Sequence, residues 1–475
     1  MFTIDHSKTS CFNEMFLPDG QIRSHYQKLF DCLQTLGESE LLDRSKEIRQ
    51  QMVRQGVTFQ LYSANHTSER IIPFDIIPRI IPHEDWEKIS SGLKQRVKAL
   101  NHFLHDVYHD QHMITDGLMS RRQIVNNPYF LPEMSNVEVP EDVYIALSGI
   151  DLIRDENGAY YVLEDNLRTP SGLSYVFKNR SLMMHYFPEL YFSSHVQSIE
   201  QGTQDLLTAL HDLAPHHKQD PVIVLLTPGR YNSAYFEHVF LAQQMGIELV
   251  EGSDLRVVDQ KVYINSIEGL RQVDVIYRRL DDSFLDPLTF NPNSLLGVAG
   301  LMNAYRAGNV AIANAPGTGV ADDKAVYTKV PDMIRYYLHE EPILKNVPTY
   351  HMKKKEDREF VLDQLEKMVV KETSLSGGYG MLIGPQSTPD MIELFRKKIL
   401  EHPERYIAQP TISLSAGPTL TDGRIENRHI DLRPFIIQGK QISVISGGLT
   451  RVALNKGSLV VNSSQGGGSK DTWIV

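Results

Sequence analysis

The fold is decided by residues 149–172, which read GIDLIRDENGAYYVLEDNLRTPSG. Two short runs rich in β-forming residues, Ile150–Ile153 and Tyr160–Leu163, lie on either side of the turn sequence Asp-Glu-Asn-Gly at 155–158. Alternating β-formers around a turn of this composition are typical of two antiparallel strands. The stretch therefore predicts a β-hairpin.

The register of this hairpin determines which side chains converge. If the four turn residues form the loop, Arg154 pairs with Ala159 and Asp151 lies opposite Val162. Because side chains alternate along a strand, Glu164 then shares the face of Asp151 as its diagonal neighbour, about 7–8 Å away between backbones. We therefore expect the two carboxylates to lie within side-chain reach of each other.

Asn166 continues the same face, so Asp151, Glu164 and Asn166 bring two carboxylates and one amide oxygen together. Hard oxygen donors of this kind suit Mg²⁺, which keeps its other positions for water and phosphate oxygens. Arg168 follows closely and could meet a phosphate or a carboxylate. The alternative is a surface hairpin with solvated acids, and the continuation into Thr-Pro-Ser-Gly at 169–172 argues against it.

Composition limits the class of protein. The 475 residues, with 41% hydrophobic content and a net charge of −11, predict two or three packed domains of a soluble protein. An acidic chain without basic runs argues against a nucleic-acid partner, and no apolar run is long enough to span a membrane. Two cysteines, Cys11 and Cys32, and an N-terminus without a secretion-signal pattern favour the cytoplasm.

An α/β layer is predicted in the middle of the chain. Val222–Leu226 is a continuous apolar run typical of a buried strand, and a helix should follow from Ser233 to Met245, with Gly246 as its C-cap. Ile247–Val250 and Val273–Tyr277 are the next candidate strands. The strand–helix–strand order predicts parallel pairing.

The remaining segments complete a four-part division. Residues 1–145 are expected to be mostly helical, and prolines in FDIIPRIIP break any helix there. Residues 146–200 hold the hairpin, 201–315 the α/β layer, and 316–475 an α+β region. In that last region, Ala321–Val330 and Pro331–Leu338 are predicted helices; the predicted strands are Met368–Glu372, Tyr406–Gln409, Ile430–Ile437, Gln441–Ile445 and Leu459–Asn462.

A lysine within a predicted strand requires a partner. Lys371 lies in the run Val-Val-Lys-Glu at 369–372, and contact with a phosphate would explain its position because burying an unpaired ammonium is costly. The alternative is a strand-edge lysine that faces water. The loop that follows, SLSGGYG at 374–380, is too glycine-rich for a strand or helix, and its amides could form an anion-binding nest.

Two arginines, Arg278 and Arg279, follow the predicted strand Val273–Tyr277. Ligands of open α/β sheets lie at the carboxyl ends of strands, so these arginines could bind a substrate carboxylate or phosphate. An internal ion-pair cluster with Asp281 and Asp282 is an equally good interpretation.

The stretch 149–172 resembles the metal-binding hairpin of ATP-grasp enzymes, which reads roughly D-x-x…G…E-x-N-x-x-P-G. In those enzymes the hairpin closes the domain near the end of the chain, whereas here it lies in the first third. The other parts of the domain follow in the usual order and end where the hairpin would begin. The chain as a whole therefore resembles the circularly permuted ATP-grasp type 2 family, with distant similarity to glutathionylspermidine synthase.

The resemblance implies a role for each candidate residue. The metal ligands would be Asp151, Glu164 and Asn166. The nucleotide-binding residues would be Lys324, Lys371, Ser376, Gly377, Gly378, Gly380 and Gln409. The catalytic arginines would be Arg168, Arg433 and Arg451, and the substrate-binding arginines Arg278 and Arg279.

The sequence departs from the usual ATP-grasp pattern at two positions. Gly149 stands where ordinary members often carry a basic residue, so which arginine compensates for it is open. Pro410 stands where an acidic residue usually follows the adenine-binding hinge.

The resemblance also implies a fold and an activity. The fold would be a circularly permuted ATP-grasp domain with an α/β pre-ATP-grasp-like domain. The activity would be an ATP- and Mg²⁺-dependent ligation, in which a small-molecule or peptide carboxylate becomes an acyl phosphate that an amine attacks. A kinase-like phosphotransferase and a non-catalytic nucleotide-binding protein are the alternatives.

Overall fold

The structure is a computed structural model that describes residues 11–63, 66–267, 269–373, 380–421, 423–461 and 467–475. The α-helices, in chain order, are α1 (Gln27–Arg54), α2 (His83–Tyr108), α3 (His112–Thr115), α4 (Arg121–Val125), α5 (Leu173–Tyr186), α6 (Pro188–Ser193), α7 (Gly202–Asp212), α8 (Tyr235–Met245), α9 (Asp282–Leu285), α10 (Leu301–Arg306), α11 (Gly319–Asp322), α12 (Lys324–Tyr327), α13 (Val330–Met333), α14 (Lys355–Asp363) and α15 (Pro389–Glu401). Among the described helices, none is long and apolar enough to cross a bilayer.

The strands, in chain order, are β1 (Thr58–Ser63), β2 (His66–Ile71), β3 (Phe74–Ile81), β4 (Leu147–Arg154), β5 (Tyr160–Asn166), β6 (Ile223–Leu226), β7 (Glu248–Val250), β8 (Leu255–Val258), β9 (Lys261–Ser266), β10 (Gly269–Val273), β11 (Val275–Arg278), β12 (Ala311–Ala313), β13 (Lys345–Asn346), β14 (Tyr350–His351), β15 (Met368–Glu372), β16 (Leu382–Ile383), β17 (Tyr406–Pro410), β18 (Ala416–Thr421), β19 (Arg424–Arg433), β20 (Phe435–Gln438), β21 (Ile442–Val444), β22 (Leu449–Val452) and β23 (Gly468–Ile474).

The predicted hairpin, β4–β5, lies inside the largest sheet, whose main order is β13-β5-β4-β19-β22-β23-β3. Its neighbours come from the end of the chain: Leu152 pairs with Leu432 of β19, and Gly149 pairs with Phe435 of β20. A hairpin from the first third of the chain thus completes a sheet of C-terminal strands. This is the arrangement that the permuted order predicts.

The α/β layer is a parallel sheet in the order β12-β11-β6-β7. The three strands and the helix predicted there are present, with ends shifted by one or two residues. Gly246 caps α8 in the left-handed conformation with φ +67°, as predicted. An antiparallel ribbon of β8, β9 and β10, which was not predicted, adjoins this layer.

The last two strands of the large sheet, β23 and β3, were among those not predicted. The proline-containing segment Phe74–Ile81 is not only non-helical but forms β3, an edge strand where a missing proline N–H is tolerated. It pairs in parallel with β23, which is buried along its whole length and includes Lys470. The sequence did not predict this strand because its polar residues are not typical of a buried strand. Lys470 is buried there because it bonds to Asp75 and to backbone carbonyls.

Several predicted elements of the C-terminal region are shorter than expected. The strand predicted for Ile430–Ile437 is divided at Pro434, which has no N–H to donate to a ladder. The helix predicted for Ala321–Val330 is broken at Asp323, whose side chain caps α12. The strand predicted from Leu459 is absent over the described residues 459–461, and Asn462 lies outside the described residues.

A buried ion pair anchors the hairpin to the N-terminal region. Arg96 of α2 donates two hydrogen bonds to Asp165 of β5, at 2.7 and 2.6 Å, and both side chains are at most 1% exposed. Arg96 also donates to Asn346 of β13 at 2.8 Å. Asp165 and Glu164 lie on opposite faces of β5, so this ion pair holds the face of the strand that is turned away from Glu164.

Replacing Asp165 with asparagine should destabilise the protein by about 3–5 kcal/mol, because it leaves the buried Arg96 charge uncompensated. Denaturant unfolding of the purified variant measures the loss. Asp43→Asn, which removes a carboxylate from an exposed ion pair with Lys46, should change the free energy of unfolding by less than about 1 kcal/mol. Equal losses in the two variants would contradict this assignment.

Candidate functional site

A β-bulge sets the geometry of the hairpin. Arg154 pairs with Tyr160, not with Ala159 as predicted, so the loop is one residue longer. The register then shifts between Asp151 and Leu152, and Asp151 lies directly opposite Glu164. The regular register would have placed Glu164 on the other face. The extra residue, Leu163, therefore returns Glu164 to the face of Asp151, as bulges near functional sites do.

Two arginines hold Asp151. Arg433 donates to both carboxylate oxygens, at 2.5 and 2.8 Å, and Arg451 donates to one at 2.8 Å. Arg451 also donates to the carboxylate of Asp431, which lies in β19. Burial raises the pKa of Asp151, but the two guanidinium groups outweigh it and lower the pKa to about 2. Asp151 is thus ionised throughout the physiological range.

Gly149 makes room for one of these arginines. A Cβ at Gly149 would lie 3.1 Å from Cδ of Arg433 and 3.3 Å from the ring of Phe435. Arg433 therefore occupies the space beside the hairpin that a side chain at 149 would fill. Arg433 of β19 thus places a basic group beside the hairpin, where ordinary ATP-grasp members often carry a basic residue at the position of Gly149.

Two lysines reach the same face of the site. Lys324, at the start of α12, forms an ion pair with Glu164 at 2.8 Å. Lys371 of β15 donates to the side-chain oxygen of Gln409 of β17 at 2.8 Å. Burial lowers the pKa of Lys371 to about 8, although the Glu164 charge opposes this shift. The four side chains belong to four elements, α12, β5, β15 and β17, which meet only in the folded protein.

These groups line one cavity between the large sheet and the sheet β14-β17-β15-β16. Its charged end contains four carboxylates and three cations, namely Asp151, Glu164, Glu372, Asp431, Lys324, Lys371 and Arg451. Its other end is largely apolar; the residues there are Ile153, Leu163, Val347, Val369, Met381, Ile383, Ile412, Leu414, Leu459, Val460 and Val461. A cavity with an apolar end and a charged end that includes two lysines and an arginine suits a ligand that has a flat ring and an anionic tail.

The residues predicted to bind a metal can be tested against the structure. After the bulge, Asp151, Glu164 and Asn166 lie on one face, and the Asn166 amide nitrogen is buried without a hydrogen-bond partner among the described residues. No three His, Cys, Asp or Glu side chains of that part of the chain could hold a metal ion. Two carboxylates and an amide oxygen are nevertheless a donor set that suits magnesium, so the residues present fit the ion.

The other predicted site residues are placed elsewhere. Arg168 donates to Asp322 at 2.7 Å, pairs with Asp281 at 3.4 Å, and does not line the cavity. Arg278 is 0% exposed, and donates to the carbonyls of Asn314, Leu280 and Ala315. It also pairs with Asp282 at 2.9 Å, as expected if Arg278 belongs to an internal ion-pair cluster and does not bind substrate. Gly380 is described, whereas Ser376, Gly377 and Gly378 lie outside the described residues.

A second cavity lies at the carboxyl end of the parallel sheet, and Arg279 lines it. Arg279 donates to Glu237 at 2.8 Å and to the Ser171 hydroxyl at 2.9 Å, while its Nε has no partner among the described residues. The Ser171 carbonyl accepts from Arg433 at 3.2 Å. Ser171, which follows the hairpin, therefore contacts both Arg279 of the second cavity and Arg433, which binds Asp151.

The model of the family described as "Circularly permuted ATP-grasp type 2" matches residues 78–453. The chain belongs to this family. It is 50% identical over 465 residues to an uncharacterized protein of Synechocystis sp., and the match covers 98% of this chain and 97% of that protein.

Other relatives extend the comparison. A Frankia casuarinae protein named "Putative glutamate--cysteine ligase 2-2" is 40% identical over 98% of this chain but only 53% of its own length, so its name describes a protein nearly twice as long. A glutathione synthetase-like effector from Globodera pallida has the same fold, with a TM-score of 0.60, 11% identity and coverage of 92% of this chain and 98% of its own.

One member of the cluster was not predicted. Asp431 lies between Arg451 and the hairpin, is 1% exposed, and has a pKa raised by burial. The alternation of polar His429, Asp431 and Arg433 with apolar Ile430 and Leu432 at the end of β19 was the available signal.

The depressed pKa of Lys371 should make stability depend on pH. The folded protein releases this proton near pH 8 and the unfolded chain near 10.5, so between these values the unfolded state binds more protons. The free energy of unfolding should then rise with pH across that window, by up to about 3 kcal/mol more in the wild type than in Lys371→Met. Denaturant unfolding at several pH values measures this difference. A Lys367→Met control should follow the wild type, and a pH-independent difference would contradict the assignment.

Gly149→Ala should destabilise the protein by about 1–3 kcal/mol, because the new methyl group crowds Arg433 and Phe435. Gly417→Ala is the matched control, since its Cβ would meet only the flexible end of Ile430 at 3.2 Å. Thermal and denaturant unfolding of both variants provide the comparison. A Gly149→Ala protein as stable as Gly417→Ala would show that Arg433 does not need the space.

Proposed function

We propose that this protein is an ATP- and Mg²⁺-dependent ligase that activates a substrate carboxylate as an acyl phosphate for attack by an amine. The observation that carries the proposal is the cavity in which Asp151 and Glu164 face Lys324, Lys371 and Arg451 beside an apolar wall. Family membership supports the use of ATP.

Each end of the cavity has a proposed role. The base of ATP lies among the apolar side chains, next to Gln409 of β17. The phosphates lie at the charged end, where Lys324 and Lys371 exchange their present partners, Glu164 and Gln409, for phosphate oxygens. Asp151, Glu164 and Asn166 would hold magnesium, which would supply charge neutralisation for phosphoryl transfer.

Arg433 and Arg451 are proposed to stabilise the transferred phosphoryl group. Both form ion pairs with Asp151, itself a proposed metal ligand, and these pairs fix their guanidinium groups before the substrate arrives. Groups positioned in advance stabilise developing charge without reorganisation during the reaction. Arg168 pairs with Asp281, which lines the second cavity, and its catalytic role remains a prediction.

The second cavity is proposed to hold the substrate to be ligated. Arg279 supplies a positive charge for a carboxylate, and Asp281 on the same wall supplies an acceptor for an amine. Because Ser171 touches both Arg279 and Arg433, a group bound there lies next to the phosphoryl-transfer site. Amino acids and short peptides carry both groups, and they are the proposed substrate class.

The decisive experiment incubates the protein with Mg²⁺, ATP and pools of amino acids and short peptides. We expect release of ADP and phosphate together with a new amide, identified by mass spectrometry. Glu164→Gln should lower turnover by about 10²–10³-fold, because it weakens the stabilisation of phosphoryl charge. Glu366→Gln, an exposed carboxylate on the approach to β15, should turn over as the wild type does.

The outcomes separate the alternatives. A stable phosphorylated product that forms without an amine acceptor would indicate a phosphotransferase. Nucleotide binding without any turnover, unchanged by Glu164→Gln, would indicate a non-catalytic nucleotide-binding protein. Failure of the wild type to bind ATP in the presence of Mg²⁺ would overturn the proposal.

A further inference from the structure

An extended segment near the N-terminus, residues 12–15, lies against the large sheet beside the hairpin. The Ala416 N–H donates to the Phe12 carbonyl at 2.8 Å, and the Glu14 N–H donates to the Ala416 carbonyl at 2.9 Å. The segment precedes the residues matched by the family model, which begin at residue 78.

Glu14 is the unusual residue of this segment, because a carboxylate is rarely fully buried. It is 0% exposed, and its Oε1 accepts from Arg79 at 2.5 Å and from the Ser415 hydroxyl at 2.7 Å. Its Oε2 accepts from Arg154 at 3.0 Å. Burial opposes ionisation of Glu14, but Arg79 and Arg154 outweigh this effect, and its pKa is lowered.

One partner of Glu14, Arg154, belongs to a strand of the candidate site, and the other two, Arg79 and Ser415, contact such strands. Arg154 ends β4, three residues after Asp151, and its carbonyl accepts from the Ser415 N–H at 3.0 Å. Arg79 donates to the carbonyl of Asp431 at 3.4 Å. Glu14 thus connects β3, β4, the entry to β18 and, through Arg79, β19.

The turn of the hairpin is held by the same segment. The guanidinium of Arg154 lies 4.1 Å from the centre of the Phe12 ring, and that of Arg23 lies 4.2 Å from it. Arg154 also donates to the Gly158 carbonyl at 2.9 Å. Gly158 has φ +85°, and a Cβ there would lie 2.7 Å from the Phe12 ring. The ring therefore packs tightly on the glycine of the turn.

We propose that Glu14 is a positioning residue, which holds β4 and β19 so that Asp151 and the Arg433–Arg451 pair stay aligned with Glu164. The role in catalysis rests on the proposed function, but the positioning itself does not. Because the hairpin is bulged next to Asp151, its register depends on contacts from outside the hairpin. Glu14 provides these contacts on the side opposite the cavity.

The test is hydrogen–deuterium exchange of the ligand-free full chain, which needs no nucleotide. In Glu14→Gln, peptides covering β4, β5 and residues 410–416 should exchange about tenfold or more faster than in the wild type, because local opening of the hairpin becomes easier. Peptides covering β6, β7 and α8 should exchange unchanged. Ser415→Ala, which removes one bond to Glu14 and is the milder change, should have the same pattern with a smaller increase.

The matched control is Asp286→Asn, which also converts a fully buried carboxylate to an amide. Asp286 is 0% exposed and accepts from the backbone N–H groups of Gly300 and Met302 at 3.0 and 2.9 Å, away from the hairpin. It should accelerate exchange there and leave the hairpin unchanged.

A second readout is the Mg²⁺ concentration for half-maximal turnover at saturating ATP. It should rise about tenfold in Glu14→Gln and stay at the wild-type value in Asp286→Asn, since only the former misaligns the metal ligands. Hairpin exchange equal to the wild type, or acceleration spread evenly over the chain in both Glu14 and Ser415 variants, would overturn the positioning role. A wild type without ATP-dependent activity but with the expected exchange pattern would overturn only the proposed function.

Discussion

The buried carboxylate of Asp151 is the constraint on which the site depends. A charge at 2% exposure is tolerated only with strong partners, and Asp151 has two arginines from two different strands. Arg433 and Arg451 come from β19 and β22, while Asp151 comes from β4. The ion cluster therefore ties β4 to two strands whose arginines lie 282 and 300 residues further along the chain.

This pairing explains how a permuted chain can form the same sheet. Hydrogen bonding between β4 and its neighbours β19 and β20 requires adjacency in space, and it is indifferent to the order in which the strands are synthesised. Two segments that precede the hairpin in the chain contact it on the face away from the cavity. Arg96 of α2 donates to Asp165 of β5, and Glu14 accepts from Arg154 at the end of β4. The connections differ from the usual order, but the cavity still has one apolar and one charged end.

Much of the chemistry was readable from residue types. Asp151, Glu164 and Asn166 do share one face, and Lys324 and Lys371 do lie at one cavity. The route to that result was wrong in detail, because the loop is longer than predicted and a bulge compensates for the shift. A bulge leaves no clear trace in a single sequence, since its cost is offset by contacts that come from distant segments. Arg278 is a candidate site residue that the structure instead buries, where it bonds to the Asn314 carbonyl and to Asp282.

The sequence by itself determined the hairpin, the parallel α/β layer, the permuted order of the parts and the chemical types gathered at the site. These features follow from local turn chemistry, from periodicity and from the spacing of motifs, all of which are properties of short segments. Only the tertiary structure decided which charges meet. It placed Arg433 in the space left by Gly149, assigned Arg168 to Asp322, and buried Glu14 behind the hairpin. The physical reason is that an ion pair depends on distance and burial, and residues far apart along the chain acquire both only when the whole sheet has formed.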